Sequence, residues 1–139
     1  MDQRVYSGSS WEEKVAYCRA RRVGELVFVA GTTATGADGA VVGPGDLFRQ
    51  CEFVFEKIAR ALAECGASMA DVVRTRTFVT DVSRFEEFAR AHRAAFQGID
   101  PVATCLEVKA LVRADLLVEI EVDAVVRRRD TVPVFTDQG

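Results

Sequence analysis

The 139-residue chain holds one histidine, one tryptophan, two tyrosines and three prolines, and these scarcities narrow its functions before any pattern is read. Four cysteines are present, Cys18, Cys51, Cys65 and Cys105, but they form no Cys-x-x-Cys pair and lie near no histidine cluster. That spacing argues against a zinc site, and neither a metal nor a cofactor is expected. Cys51 and Cys65 fall on one expected helix, about 21 Å apart along its axis, too far for a disulfide within it. Free thiols in a reducing compartment fit best.

No apolar run approaches the roughly 20 residues needed to cross a bilayer. Met1-Asp2-Gln3-Arg4 leads into polar sequence instead of a signal h-region, so a soluble cytoplasmic protein without membrane contacts is expected. Positive charge is also short: 18 Lys and Arg against 21 Asp and Glu leave −3, with a sequence pI of about 5.2. Such a field repels a phosphate backbone, and no stacking-aromatic motif offsets it, so nucleic acid is not an expected partner. The glycines of Gly36-Ala37-Asp38-Gly39 and Gly43-Pro44-Gly45 match neither a Walker loop nor a dinucleotide fingerprint and read as turns. No repeat or low-complexity segment is present.

What remains is 49% hydrophobic, enough for one compact domain with one core. We take the domain as 1–129, with 130–139 as an extension beyond it. Val5 to Ser7 reads as a short strand, followed by a polar linker through Ser10. Tyr17 to Val23 and Leu26 to Thr33 read as two strands joined by a Gly24-Glu25 turn. Asp46 is an N-cap for a long helix whose apolar stripe is Leu47, Cys51, Val54, Phe55, Ile58, Leu62 and Cys65, stopped by Gly66. Val72 to Thr80 is a strand with Arg74, Arg76 and Phe78 on one face and Val73, Thr75, Thr77 and Val79 on the other. A second amphipathic helix carries Phe85, Phe88, Ala89, His92 and Phe96 on one side, which makes His92 a partly buried core histidine. Strands at Thr104 to Ala110 and Leu117 to Val126 finish the chain.

This order predicts an α+β fold with both helices on one face of a sheet. In the last strand Glu119, Glu121 and Asp123 share the other face, where they repel one another unless cations such as Arg74 and Arg76 accompany them. A sheet with one uncovered mixed face invites a second subunit to cover it.

Three blocks carry a resemblance: Gly24-Glu25-Leu26-Val27-Phe28-Val29-Ala30-Gly31, Pro101-Val102-Ala103-Thr104-Cys105-Leu106-Glu107-Val108 and Val118-Glu119-Ile120-Glu121-Val122-Asp123-Ala124. Together they resemble the RidA/YjgF family of small imine and enamine deaminases, also called endoribonuclease L-PSP-like, over Tyr17 to Val126. The resemblance implies a chorismate-mutase-like (ferredoxin-like) sheet and a homotrimer with small-molecule sites in clefts between subunits. It also implies site roles. Tyr17 lines the cleft, Gly31 allows close backbone approach, and Thr104 and Cys105 contact the ligand. Glu119 holds the water that attacks the imine carbon. Where deaminating relatives carry a carboxylate-binding arginine this chain has Ala103, so the expected substrate is one without that anchor. A non-catalytic ligand-binding or sensing trimer is the alternative, and a ribonuclease role is the least favoured. Tyr17 could equally seal an interface, Glu119 could equally serve a structural ion pair, and Cys105 reads first as an inert buried thiol.

Overall fold

The computed structural model describes residues 1–127; the rest of the terminal arginine run and the extension at 130–139 lie outside the described residues. The chain runs β1 (Asp2–Val5), α1 (Ser10–Val15), β2 (Ala20–Val23), β3 (Leu26–Thr33), α2 (Leu47–Glu64), β4 (Val72–Val79), α3 (Phe85–Phe96), β5 (Val102–Glu107) and β6 (Val118–Val125). The sheet order is β1-β2-β3-β6-β4-β5, antiparallel throughout except for the parallel β4–β5 pair. The expected α+β fold is therefore present, with β6 in the interior of the sheet and β5 on its edge.

One face of the sheet is the core. Val118, Ile120, Val122 and Ala124 of β6 are at most 1% exposed and pack with Val54, Ile58 and Leu62 of α2. Each such side chain contributes roughly 1.5–3 kcal/mol by leaving water. The α2 boundary is local chemistry: the Asp46 side chain accepts from Arg49 N at 3.0 Å, and Gly66 at φ +76° takes the left-handed conformation that ends the helix. Cys65 falls at the cap itself.

Gln50 fastens this layer to the strand that carries the acids. It is 0% exposed; its Nε2 donates to Gly43 O and Asp115 O, and its Oε1 accepts from Leu117 N.

Several elements differ from the sequence reading, each for a local reason. The first strand is Asp2–Val5, not Val5 to Ser7. Ser7 N and Oγ are instead bound by the buried Glu12 carboxylate, and Gly8 turns the chain at φ +87°. The expected linker ends in a helix, α1, capped by Ser9, whose side chain accepts from Trp11 N. Helix α1 closes at Ala16 in the left-handed region, which delays the next strand from Tyr17 to Ala20. Val73 points outward, not inward, because a bulge between Val72 and Arg74 adds a residue to β4. In α3, Phe85 is 45% exposed and Ala91 is buried in its stead. Strand β5 runs Val102–Glu107, since its ladder with β4 ends where β4 does.

Candidate functional site

On the open face of the sheet the three carboxylates of β6 divide into two environments. Arg76 Nη1 lies 3.2 Å from Glu121 and 3.4 Å from Asp123, and Arg74 Nε lies 3.8 Å from Asp123. The expected cations thus serve the lower two acids. Glu119, opposite Thr33 of β3 and Phe78 of β4, has no ion pair within 4 Å among the described residues.

Glu119 is seated by the absence of a side chain at position 31. The β3–β6 register shifts between Val29 and Thr32, and the shift brings Gly31 beneath the carboxylate. A Cβ there would collide with Glu119 Oε2 and lie 2.9 Å from its Cδ. Close approach at Gly31 is present, but the group that needs the space is this protein's own acid. The half-buried carboxyl is pushed above the usual carboxylate range, first by desolvation and further by Glu121, while Arg19 pulls the other way.

Arg19 completes this wall. Its Nη2 donates to Gly31 O at 2.6 Å, and its guanidinium lies 5.8 Å from the centre of the Tyr17 ring. Tyr17, Arg19, Gly31 and Glu119 are therefore one cluster. Two other arginines are already paired: Arg21 with Asp2 at 2.9 Å, and Arg113 with Asp115 at 2.8 Å and the Gly39 carbonyl.

Of the remaining sequence candidates, Thr104 is opposite Arg76 on the open face, two strands from Glu119, while Ala103 and Cys105 register with the helix side. Ala103 is opposite Thr75 and Cys105 opposite Thr77, both buried on the helix side, whereas Glu119 is opposite Phe78 on the open side. Residue 103 and Glu119 are thus on opposite faces of one sheet. Ala103, Thr104 and Cys105 line a groove of about 570 Å³ between β5 and α3, walled by Phe88, His92 and Phe96. His92 shares a hydrogen bond with Thr75 Oγ1 at 2.9 Å and sits among Phe55, Phe88 and Phe96. Burial holds its basicity below the ordinary value, in keeping with a core histidine. Burial likewise raises the Cys105 thiol, a shift that disfavours the reactive thiolate. All four cysteines are free.

Lys57 lies behind the first wall. Its Nζ donates to Thr33 O at 2.8 Å and Thr35 O at 2.9 Å, and desolvation, aided by Arg19 and Arg60, lowers its pKa to about 8. An unfolded lysine holds its proton up to 10.5, so over this interval the unfolded chain binds more protons and folding gains as pH rises. Unfolding curves of wild type and Lys57→Met should therefore show wild type gaining relative stability from pH 8 to 10. A constant difference would mean that Lys57 titrates normally.

Among the described residues no three His, Cys, Asp or Glu side chains converge where a metal ion could sit, and no helix is long and apolar enough to cross a membrane. The family model for endoribonuclease L-PSP matches residues 9–126. The chain belongs to the YjgF/RidA family. Its fold is similar to the crystal structure of a Mycobacterium tuberculosis member of the YjgF/YER057c/UK114 family, at 46% identity and a TM-score of 0.82, covering 91% of this chain and all of that one. An uncharacterized protein of Streptomyces coelicolor is 38% identical over 122 residues, 88% of this chain and 90% of the relative. A RutC family protein of Pyrococcus abyssi is 32% identical over 105 residues, 76% and 82% of the two chains. Within this YjgF/RidA chain, the sequence names Tyr17, Gly31 and Glu119 as separate contacts; the structure joins them through Arg19.

Proposed function

We propose that this YjgF/RidA protein hydrolyses or tautomerises a small imine or enamine that is not held by the usual carboxylate anchor, since residue 103 is alanine. The observation that carries the reading is Glu119, a half-buried carboxylate with raised proton affinity, held over Gly31 and outside the Arg74–Arg76 ion pairs. Such a group accepts a proton from water more readily than an ordinary surface acid. Water held by Glu119 attacks the imine carbon, forming a C–O bond as its proton passes to the carboxylate. The C=N π pair moves to nitrogen, which takes that proton from Glu119 to give the carbinolamine; the hydroxyl proton then passes through Glu119 to nitrogen as the carbonyl forms, the C–N bond breaks and ammonia leaves. No covalent enzyme intermediate is required, so positioning supplies most of the rate.

The two faces that carry Glu119 and Ala103 cannot meet within one subunit. This supports a site shared between copies, in which the Glu119 wall of one copy meets the β5–α3 groove of the next within the homotrimer we propose. Exposed apolar residues on the open face and edge strand, Phe28 at 45%, Leu106 at 43% and Val102 at 59%, are consistent with such burial. The net charge of −3 favours a small-molecule site over a ribonuclease.

The test is imine loss by purified protein, with 2-imino acids generated in place by an amino-acid oxidase and uncharged imines beside them. We expect acceleration over the protein-free rate with at least one class, and higher 2-imino-acid activity in Ala103→Arg. No acceleration by a folded trimer would favour the alternative, a trimer that binds a metabolite without turnover; the missing guanidinium at residue 103 is the observation behind that alternative.

A further inference from the structure

Arg19 differs from the arginines of the open face and its flank. Arg4, Arg21, Arg74 and Arg76 each have a carboxylate within 4 Å; Arg19, like Arg22, Arg60, Arg90 and Arg93, has none among the described residues, and among the described arginines it alone has a shielded side-chain nitrogen without a partner. Yet it is half-buried, and its Nε is fully shielded without a hydrogen-bond partner. A guanidinium offers five N–H donors in a planar fork, and here Nη2 alone is committed, to Gly31 O. A desolvated cation with unmet donors is costly unless an acceptor joins it. The neighbouring carboxylate of Glu119 feels its charge but does not bridge to it.

We propose that Arg19 is the anion-binding group of this site and takes a carboxylate of the ligand on the Glu119 wall, moving the anchor away from residue 103. The inference rests on the reading of the Glu119 wall as one side of the ligand site. The Gly31 carbonyl and the Tyr17 ring hold the guanidinium in place, so its fork is oriented before the ligand arrives. Because Nε is shielded from solvent, the prongs left for a carboxylate are the N–H groups of Nη1 and Nη2, which present a planar two-pronged face. A carboxylate seated there lies near Glu119, so the acid weakens binding while Arg19 strengthens it. That opposition gives the proposal a signature of two signs.

The probes are 2-oxobutanoate and its neutral amide, titrated into the intact protein by calorimetry while the Arg19 Nε–H resonance is followed by NMR. The acid should bind saturably and move that resonance, and the amide should bind at least about tenfold more weakly. Arg19→Gln should lose at least about tenfold in affinity for the acid, Arg19→Lys should recover part of it, and Glu119→Gln should tighten it. Equal binding of acid and amide, an unmoved Nε–H resonance at saturation, or no binding at all would overturn the proposal. The resonance in the wild-type protein serves even if Arg19→Gln fails to fold. Carboxylate binding without turnover would refute only the reaction; hydrolysis of uncharged imines without carboxylate binding would refute only the anchor.

Discussion

Gly31→Ala should cost on the order of 10–100-fold in turnover while leaving the fold intact, because displacing a reacting group by about 1 Å is enough for such a loss. Gly31 has no positive φ that an alanine would strain. The three atoms nearest its new Cβ are all of the Glu119 side chain, Oε2, Cδ and Cγ. These are atoms of a flexible side chain, so the backbone stays and the carboxylate moves. A melting temperature near that of wild type with sharply reduced imine hydrolysis would establish the seat. Equal loss of stability and activity would mean that the bulge itself has collapsed.

Gln50→Leu should destabilise the protein by about 3 kcal/mol, because Leu117 N and Asp115 O lose their partner at once while Gly43 O keeps only Asp46 N, and each unmet group costs roughly 1–3 kcal/mol. Leucine fills the volume but cannot accept from Leu117 N, nor donate to Gly43 O and Asp115 O. The melting temperature should fall by about 10 °C for a chain of this size. The damage also reaches the site, since Leu117 precedes β6 and β6 carries Glu119. Urea or thermal unfolding measures it, and a change within about 0.5 kcal/mol, typical of surface substitutions, would contradict the fastening role of Gln50.

Much of this architecture is legible in the sequence wherever periodicity is long. The α2 stripe from Leu47 to Leu62, its Asp46 cap and the alternation of β6 are each set by local patterns that tertiary packing reinforces. Helix α1 is six residues and too short for periodicity to show, although Ser9 and Glu12 carry the Ser-x-x-Glu spacing of a capping box. In the folded chain Glu12 spends that carboxylate on Ser7 instead. The bulges at Val72/Arg74 and Val29/Thr32 leave no comparable trace. They nonetheless decide which way Val73 points and why Gly31 lies under Glu119. The site is legible as residues but not as geometry. Tyr17, Gly31 and Glu119 can be named from the resemblance, while the separation of Glu119 from Ala103 appears only once β5 and β6 are known to flank β4 in register. In the sequence Arg19 is one cation among several; its unmet Nε and its hold on Gly31 set it apart only in three dimensions.

Glu119→Gln tests the central claim most directly, because it keeps the side chain's shape over Gly31 and removes only its capacity to take a proton. With the imine that wild type turns over fastest, the variant should remain folded and lose about 10²–10⁴-fold in rate, the usual contribution of a positioned base. Turnover within about twofold of wild type would show that Glu119 does not take the proton of the attacking water, and the hydrolytic mechanism built on that carboxylate would be wrong.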